Sequence, residues 1–356
     1  MTTPLTRLRC VARRARVPFA SLLLVLPTLV AAQATPWPRG TIVVSNMRDS
    51  SATIVDAATG QVRATVRTGN GPHEVAGSHD GRWAVVSNYG VRGAPGNTLT
   101  VIDVARAAVA RTIDLGSYQR PHGMRFLPGD TLLAVTSETS QAVLLVDLRQ
   151  DKVVRLLPTH GRTSHMLAMT TNGDRIFTAN ISDGSVSVID PRDTSAVRTV
   201  PVARATEGIG AAPDGGRVWL GSNADSIVVV VDPTGATRPD TIRGFGMPYR
   251  IALTPDGRRA VISDPVRGEI LVIDATTHRE LSRIVVPRDS LVETAEVPGS
   301  PSPEGVAVSD DSRWAFVTLQ GRNRVVWVDL ARGAIVRSAP TGTWSDGIAF
   351  VPAPKR

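Results

Sequence analysis

A chain of 356 residues with a single cysteine cannot be built on a disulfide framework, and its length suits either two ordinary domains or one large repeat domain. Its formal net charge of +8 would suit a nucleic-acid surface only if the basic residues lay within the folded domain.

They do not all lie there. Arg7, Arg9, Arg13, Arg14 and Arg16 open the chain without one acidic residue, an apolar run follows from Val17 to Ala32, and Ala32-Gln33-Ala34 closes it. This is the order of an export signal cleaved after Ala34, and the run is too short and too broken by Pro18 and Pro27 for a membrane span. Residues 1–34 are therefore expected to be a removed signal peptide, and 35–356 one periplasmic or secreted domain with no stable membrane insertion. The Arg13-Arg14 pair leaves the general and twin-arginine routes both open. Cleavage takes Cys10 and five arginines with it, so the net charge falls from +8 to +3. The mature chain has no thiol chemistry, needs a large core, and is too mildly basic for nucleic acid to be an expected partner.

From residue 41 onward the pattern repeats. Apolar strands ending in Val/Ile-Asp recur at Asp56, Asp103, Asp147, Asp190, Asp232, Asp274 and Asp329, spaced 47, 44, 43, 42, 42 and 55 residues apart. The segments between these marks have the two-residue period of strands, and four short strands per unit of about 42 residues is the signature of a propeller blade. In the second unit strand a is expected at 122–127, b at 131–137, c at 142–147 and d at 152–157. Asp80-Gly81, Asn172-Gly173, Asp214-Gly215 and Asp256-Gly257 supply tight a–b turns. Thr41 to Asn46 reads as a strand b with no strand a before it, and Asp346 to Val351 as a strand a with no strand b after it. The expected fold is all-β: a single seven-bladed β-propeller of four-stranded blades, with N-terminal strands closing the ring on the C-terminal one. Two segments break the period, the b–c loop Tyr89 to Asn97 and an insertion from Pro287 to Pro303, both expected on the face where the strands a begin.

The Val-Ile-Asp strand ends, Gly71-Pro72-His73, Ala212-Pro213-Asp214-Gly215, Thr254-Pro255-Asp256-Gly257 and the Ser/Thr-x-Asn ends at Asn46, Asn88 and Asn223 resemble the YVTN family of propeller repeats. Over residues 40 to 351 the chain is similar to the exported YncE-like proteins. The resemblance implies the fold; for activity it spans binding proteins, surface proteins and relatives of lactonases.

Aligned on the blades, strand a begins at His73, His122, His165, Glu207, Tyr249, Glu304 and Asp346. The innermost strands bring these side chains around the channel mouth. Three imidazoles followed by carboxylates are ligand chemistry for Zn, Cu or Fe, with His73, His122, His165, Glu207 and Glu304 as the metal set. Tyr249, Asp346, Arg120, Arg250 and Trp344 are candidate small-ligand contacts, the arginines suiting a carboxylate or phosphate. A second set ends strand b at Asn46, Asn88, Glu138, Asn180, Asn223, Asp264 and Gln320; these are expected to cap their own loops, with Glu138 and Asp264 the exceptions. The leading expectation is a binding protein holding a metal ion or small anion at the mouth. A metal-dependent, lactonase-like hydrolase or lyase on the same ring is the alternative, and whether the chain is an enzyme stays open. A third reading, contact with a protein or single-stranded DNA through the irregular face, rests on Arg48, Arg92 and Arg120.

Overall fold

The computed structural model describes residues 1, 2, 36–292 and 295–354. The expected export signal therefore lies almost wholly outside the described residues. Trp37–Arg356 form one compact unit, and its strands sort into seven four-stranded antiparallel sheets. In the second blade the strands run Pro121–Phe126, Leu132–Ser137, Ala142–Asp147 and Lys152–Pro158, within a residue of the expected bounds. The last strand, Ser345–Pro352, pairs with Gly40–Asn46 in the register Thr41↔Val351 and Val44↔Ile348. That pairing completes the seventh blade and removes two open sheet edges.

Packing explains the strand character. Strands b and c are buried on both faces because each blade lies between two others, so Trp83–Val91 and Ala142–Asp147 read as nearly continuous apolar runs. Between the first and second blades Val85, Leu99 and Val101 pack on Met124, Phe126 and Leu133. Full burial of such a side chain contributes about 1.5–3 kcal/mol. The outermost strand of the seventh blade, Val62–Arg67, alternates half-buried with exposed positions, as a strand wet on one side must.

The segment Tyr89 to Asn97 is no loose loop. Strands Trp83–Val91 and Ala94–Asp103 continue into it as a projecting hairpin, with Gly90 opposite Pro95 and Val91 opposite Ala94. Gly93 sits at the tip with φ +82°, which glycine adopts without strain. The insertion instead folds back on its own blade, the Val292 N–H donating to the Gly321 carbonyl at 2.8 Å and the Glu296 N–H to Gln320 Oε1 at 2.8 Å.

Near the axis the inner strands crowd. In four blades the ring residue is followed by glycine: His122-Gly123, Glu207-Gly208, Glu304-Gly305 and Asp346-Gly347. A Cβ on Gly347 would lie 2.2 Å from the His73 carbonyl oxygen, and one on Gly305 2.2 Å from that of Asp346. No side chain fits there, so adjacent strands pack backbone to backbone. The first and fifth blades place Glu74 and Arg250 at this position instead.

Candidate functional site at the channel mouth

Four of the seven ring residues are held from behind by the blade before them. A strand b hydroxyl of one blade donates to the ring-residue carbonyl of the next: Ser45 to His73, Thr136 to His165 at 2.6 Å, Ser263 to Glu304 at 2.6 Å and Thr318 to Asp346 at 2.8 Å. The backbone at these four positions is thus fixed by equivalent strand b residues.

The three histidines follow one another with their ring planes tilted, by 43° between His73 and His122 and 31° between His122 and His165. Ring centroids of His73 and His122 are 4.9 Å apart and those of His122 and His165 3.6 Å. Tyr89 meets His73 and His122 edge-on, at 4.6 and 5.3 Å. Among the described residues no three His, Cys, Asp or Glu side chains are arranged to hold a metal ion. The imidazoles lie side by side along the ring wall.

Around the ring the groups form one chain of contacts. The Tyr89 hydroxyl donates to Glu138 Oε2 at 2.7 Å, and Glu138 Oε1 meets His165 Nδ1. His165 Nε2 lies 3.3 Å from Glu207 Oε1, and Asn223 Nδ2 donates to Glu207 Oε2 at 2.6 Å. Arg250 donates to the same Glu207 Oε1 at 3.0 Å, and through Nη2 and Nε to Glu74 Oε1 at 2.9 and 3.1 Å. Glu74 belongs to the first blade and Arg250 to the fifth, so this ion pair bridges the channel. Both side chains are under a tenth exposed. On the other side His73 Nδ1 lies 2.9 Å from Asp346 Oδ2, in an alignment that makes no hydrogen bond. Glu304 accepts from the Ser302 hydroxyl at 2.6 Å through one oxygen.

Burial and pairing set the charges. Burial alone would lower the His165 pKa, but its bonds to Glu138 and Glu207 outweigh that and raise it to about 9. Burial pushes Glu207 upward; His165 and Arg250 prevail and hold it at about 2. His122 is driven well down, by burial first and then by its histidine neighbours, so it is neutral. Glu304 is driven well up by burial and by Asp346 beside it, which favours its protonated form. Glu296, from the insertion, is raised by burial and by the charges of Asp346 and Glu207.

The structure thus brings together His73, His122, His165, Glu207, Arg250, Glu304 and Asp346. Tyr249 stands against them with the Arg250 guanidinium 4.1 Å over its ring. Arg120 and Trp344 are engaged on the surrounding loops, Arg120 with its guanidinium 4.5 Å over Tyr89 and Trp344 under that of Arg48 at 3.9 Å. Asn46, Asn88 and Asn180 cap loops and strand hydroxyls as expected, for example the Gly69 N–H donating to Asn88 at 3.0 Å. Glu138 is the exception that was foreseen. Asp264 differs from its expected part: it accepts from the Gly246, Met247 and Arg267 N–H groups, a backbone cap. Asn223 joins the ring, because Glu207 offers it a carboxylate. Sequence reasoning missed Glu74, Tyr89 and Glu296. Glu74 could have been flagged as a charged residue where four blades carry glycine.

No family model matches the chain, and no curated protein matches it, so the likeness to YVTN repeats rests on the quoted residues. Among solved structures it is similar to a functionally unknown protein from Desulfotomaculum acetoxidans, at 12% identity over 88% of this chain and 99% of that one, with a TM-score of 0.71. At that identity the likeness speaks for the fold alone, a seven-bladed β-propeller.

Proposed function

We propose that the channel mouth binds a small cation, a divalent metal ion or an organic ammonium group, in an exported binding protein of the YVTN type. One observation carries the reading. Buried polar atoms of His73, His122, Asn223, Glu304 and Asp346 have no hydrogen-bond partner in the protein, and all of them border one ring. Leaving such a group unsatisfied costs about 1–3 kcal/mol, so a cluster of them favours a ligand that satisfies several at once.

The sign of that ligand follows from the side chains around it. Among the described residues the carboxylates Glu74, Glu138, Glu207, Glu296 and Asp346 meet Arg250, His165 and His73, with Arg125 acting on Glu74 from the far side, and Arg250 is already shared by two carboxylates. The balance opposes the small anion entertained from sequence and favours a cation. His73 Nδ1 and Asp346 Oδ2, 2.9 Å apart, are the natural first contacts, and His122 or Glu304 would turn to complete a metal shell. The hydrolase reading is weaker: Glu207, clamped by Arg250, Asn223 and His165, is a poor general base.

Metal analysis of protein purified without chelator, with calorimetric titration of Zn²⁺, Cu²⁺ and ethylammonium, tests the proposal. One cation is expected to bind with 1:1 stoichiometry and to weaken at least about tenfold in Asp346→Asn, the loss of a charged contact. Equal binding by wild type, Asp346→Asn and His122→Ala, or no binding of any of the three cations, would overturn it.

A further inference from the structure

Beyond the Arg250–Glu74 bridge, toward the a–b turns, the channel widens into a cavity of about 630 Å³ to which all seven inner strands contribute. Its wall is mixed, somewhat more apolar than polar, with Val75, Met169, Ile209, Leu253, Val306 and Ile348 among the lining. Three of its hydroxyls are committed elsewhere, Ser78 donating to Asp80 at 2.6 Å, Thr170 to Asp174 at 2.8 Å and Thr254 to Asp256 at 2.6 Å, and Thr171 also lines the wall. His79 and Asp310 stand at its turn end, His79 paired with Asp130 at 2.7 Å.

Arg125 is the one lysine or arginine among the lining residues. It projects from the second blade's inner strand, where its side chain is accessible to a water-sized molecule yet enclosed by the surrounding strands. One of its nitrogens donates to the adjacent Met124 carbonyl at 2.9 Å, and among the described residues no carboxylate forms an ion pair with it. A guanidinium carries five N–H donors in a planar fork suited to a carboxylate. Its side chain is open to water in the chamber, which weakens its attraction for an anion without removing it. The volume lies within the range of pockets for small organic molecules.

We propose that this lower chamber is a second ligand site, separate from the mouth, that takes a small organic monoanion: a carboxylate seated on Arg125 with an apolar body against the inner strands. The two sites have opposite preferences. The mouth is rich in carboxylates, and the chamber has one cation among aliphatic side chains. The Glu74 carboxylate of the bridge acts on Arg125 from the mouth side without forming an ion pair with it.

Octanoate, octan-1-ol and octylamine are the probes, titrated calorimetrically into the whole protein. Octanoate is expected to bind 1:1 and octan-1-ol at least about tenfold more weakly, the loss of a charge-assisted contact. Octylamine is expected not to enter. Arg125→Met, close in shape and uncharged, should lose the difference between acid and alcohol; Arg125→Lys should keep part of it. Asp346→Asn should bind octanoate as wild type does, which separates this site from the mouth. Equal affinity for octanoate and octan-1-ol in the wild type, or octanoate binding untouched in Arg125→Met, would overturn the proposal. If Arg125→Met failed to fold, Arg125→Lys and the acid–alcohol comparison would still decide it.

Discussion

At the c–d turns seven aspartates repeat one local task, each accepting a backbone N–H from two or three residues ahead, as Asp56 does from Thr59 at 2.8 Å and Asp147 from Arg149 at 2.7 Å. At the starts of the inner strands seven equally equivalent positions hold three histidines, two glutamates, a tyrosine and an aspartate, and their contacts run from blade to blade. A residue needed for a turn satisfies its own backbone, so every blade requires the same one. A residue facing the axis meets the side chains of the other six blades, so it is released from the repeat and can be specialised. The difference separates what folds the propeller from what equips its channel.

Breaking the bridge across the channel should have the largest effect. Arg250→Met leaves Glu74 buried without its ion-pair partner and Glu207 with His165 alone, and loss of one partner of a buried pair costs about 3–5 kcal/mol. A denaturant titration of the variant checks it, and a loss below about 1 kcal/mol would show that the bridge is not a structural element. Replacing both Glu74 and Arg250 by apolar residues should cost less than Arg250→Met alone, because Glu74 no longer remains as a buried carboxylate without its partner.

The next effect is an alkaline one. His165 is raised from an ordinary 6.5 to about 9, so its stabilising contribution is complete below pH 6.5 and is lost as pH rises through about 9. A shift of that size corresponds to roughly 3 kcal/mol. Glu304, raised by burial, acts in the same direction, since the folded state holds its proton more tightly than the unfolded chain. Unfolding free energy should therefore fall between pH 6.5 and 9, and His165→Gln should flatten that slope. A wild-type stability that is level over this range would contradict the charge assignment of the ring.

The smallest effect belongs to the other member of the comparison. Asp147→Ala removes exposed turn bonds that water can replace, so it should leave both the unfolding midpoint and cation binding close to wild type. A loss as large as that of Arg250→Met would abolish the distinction drawn between the two sets of positions.

Much of the molecule was legible from residues alone, for a reason of scale. Strand alternation, Asp-Gly turns and the Val/Ile-Asp marks act over a few neighbours, so they appear in the sequence as a period near 42 residues. Ring closure was legible too, because Thr41 to Asn46 and Asp346 to Val351 each lack the strand the other supplies. The hairpin at 89–97 reads as a loop in the sequence because Gly90, Gly93, Pro95 and Gly96 suggest irregular backbone. They accommodate a bulge between Asn88 and Gly90 and a tight tip.

The chain's local chemistry determined the blades, their number, the positions that ring the axis and the turns that cap them. Only the closed tertiary structure decided which of those positions meet. Glu74 and Arg250 are 176 residues apart, and no period links a glutamate in one blade to an arginine three blades away around the ring. Their pairing, the succession of His73, His122 and His165, and the setting of Arg125 beneath them depend on distances across the channel. Those distances exist only once the seventh blade has closed the ring.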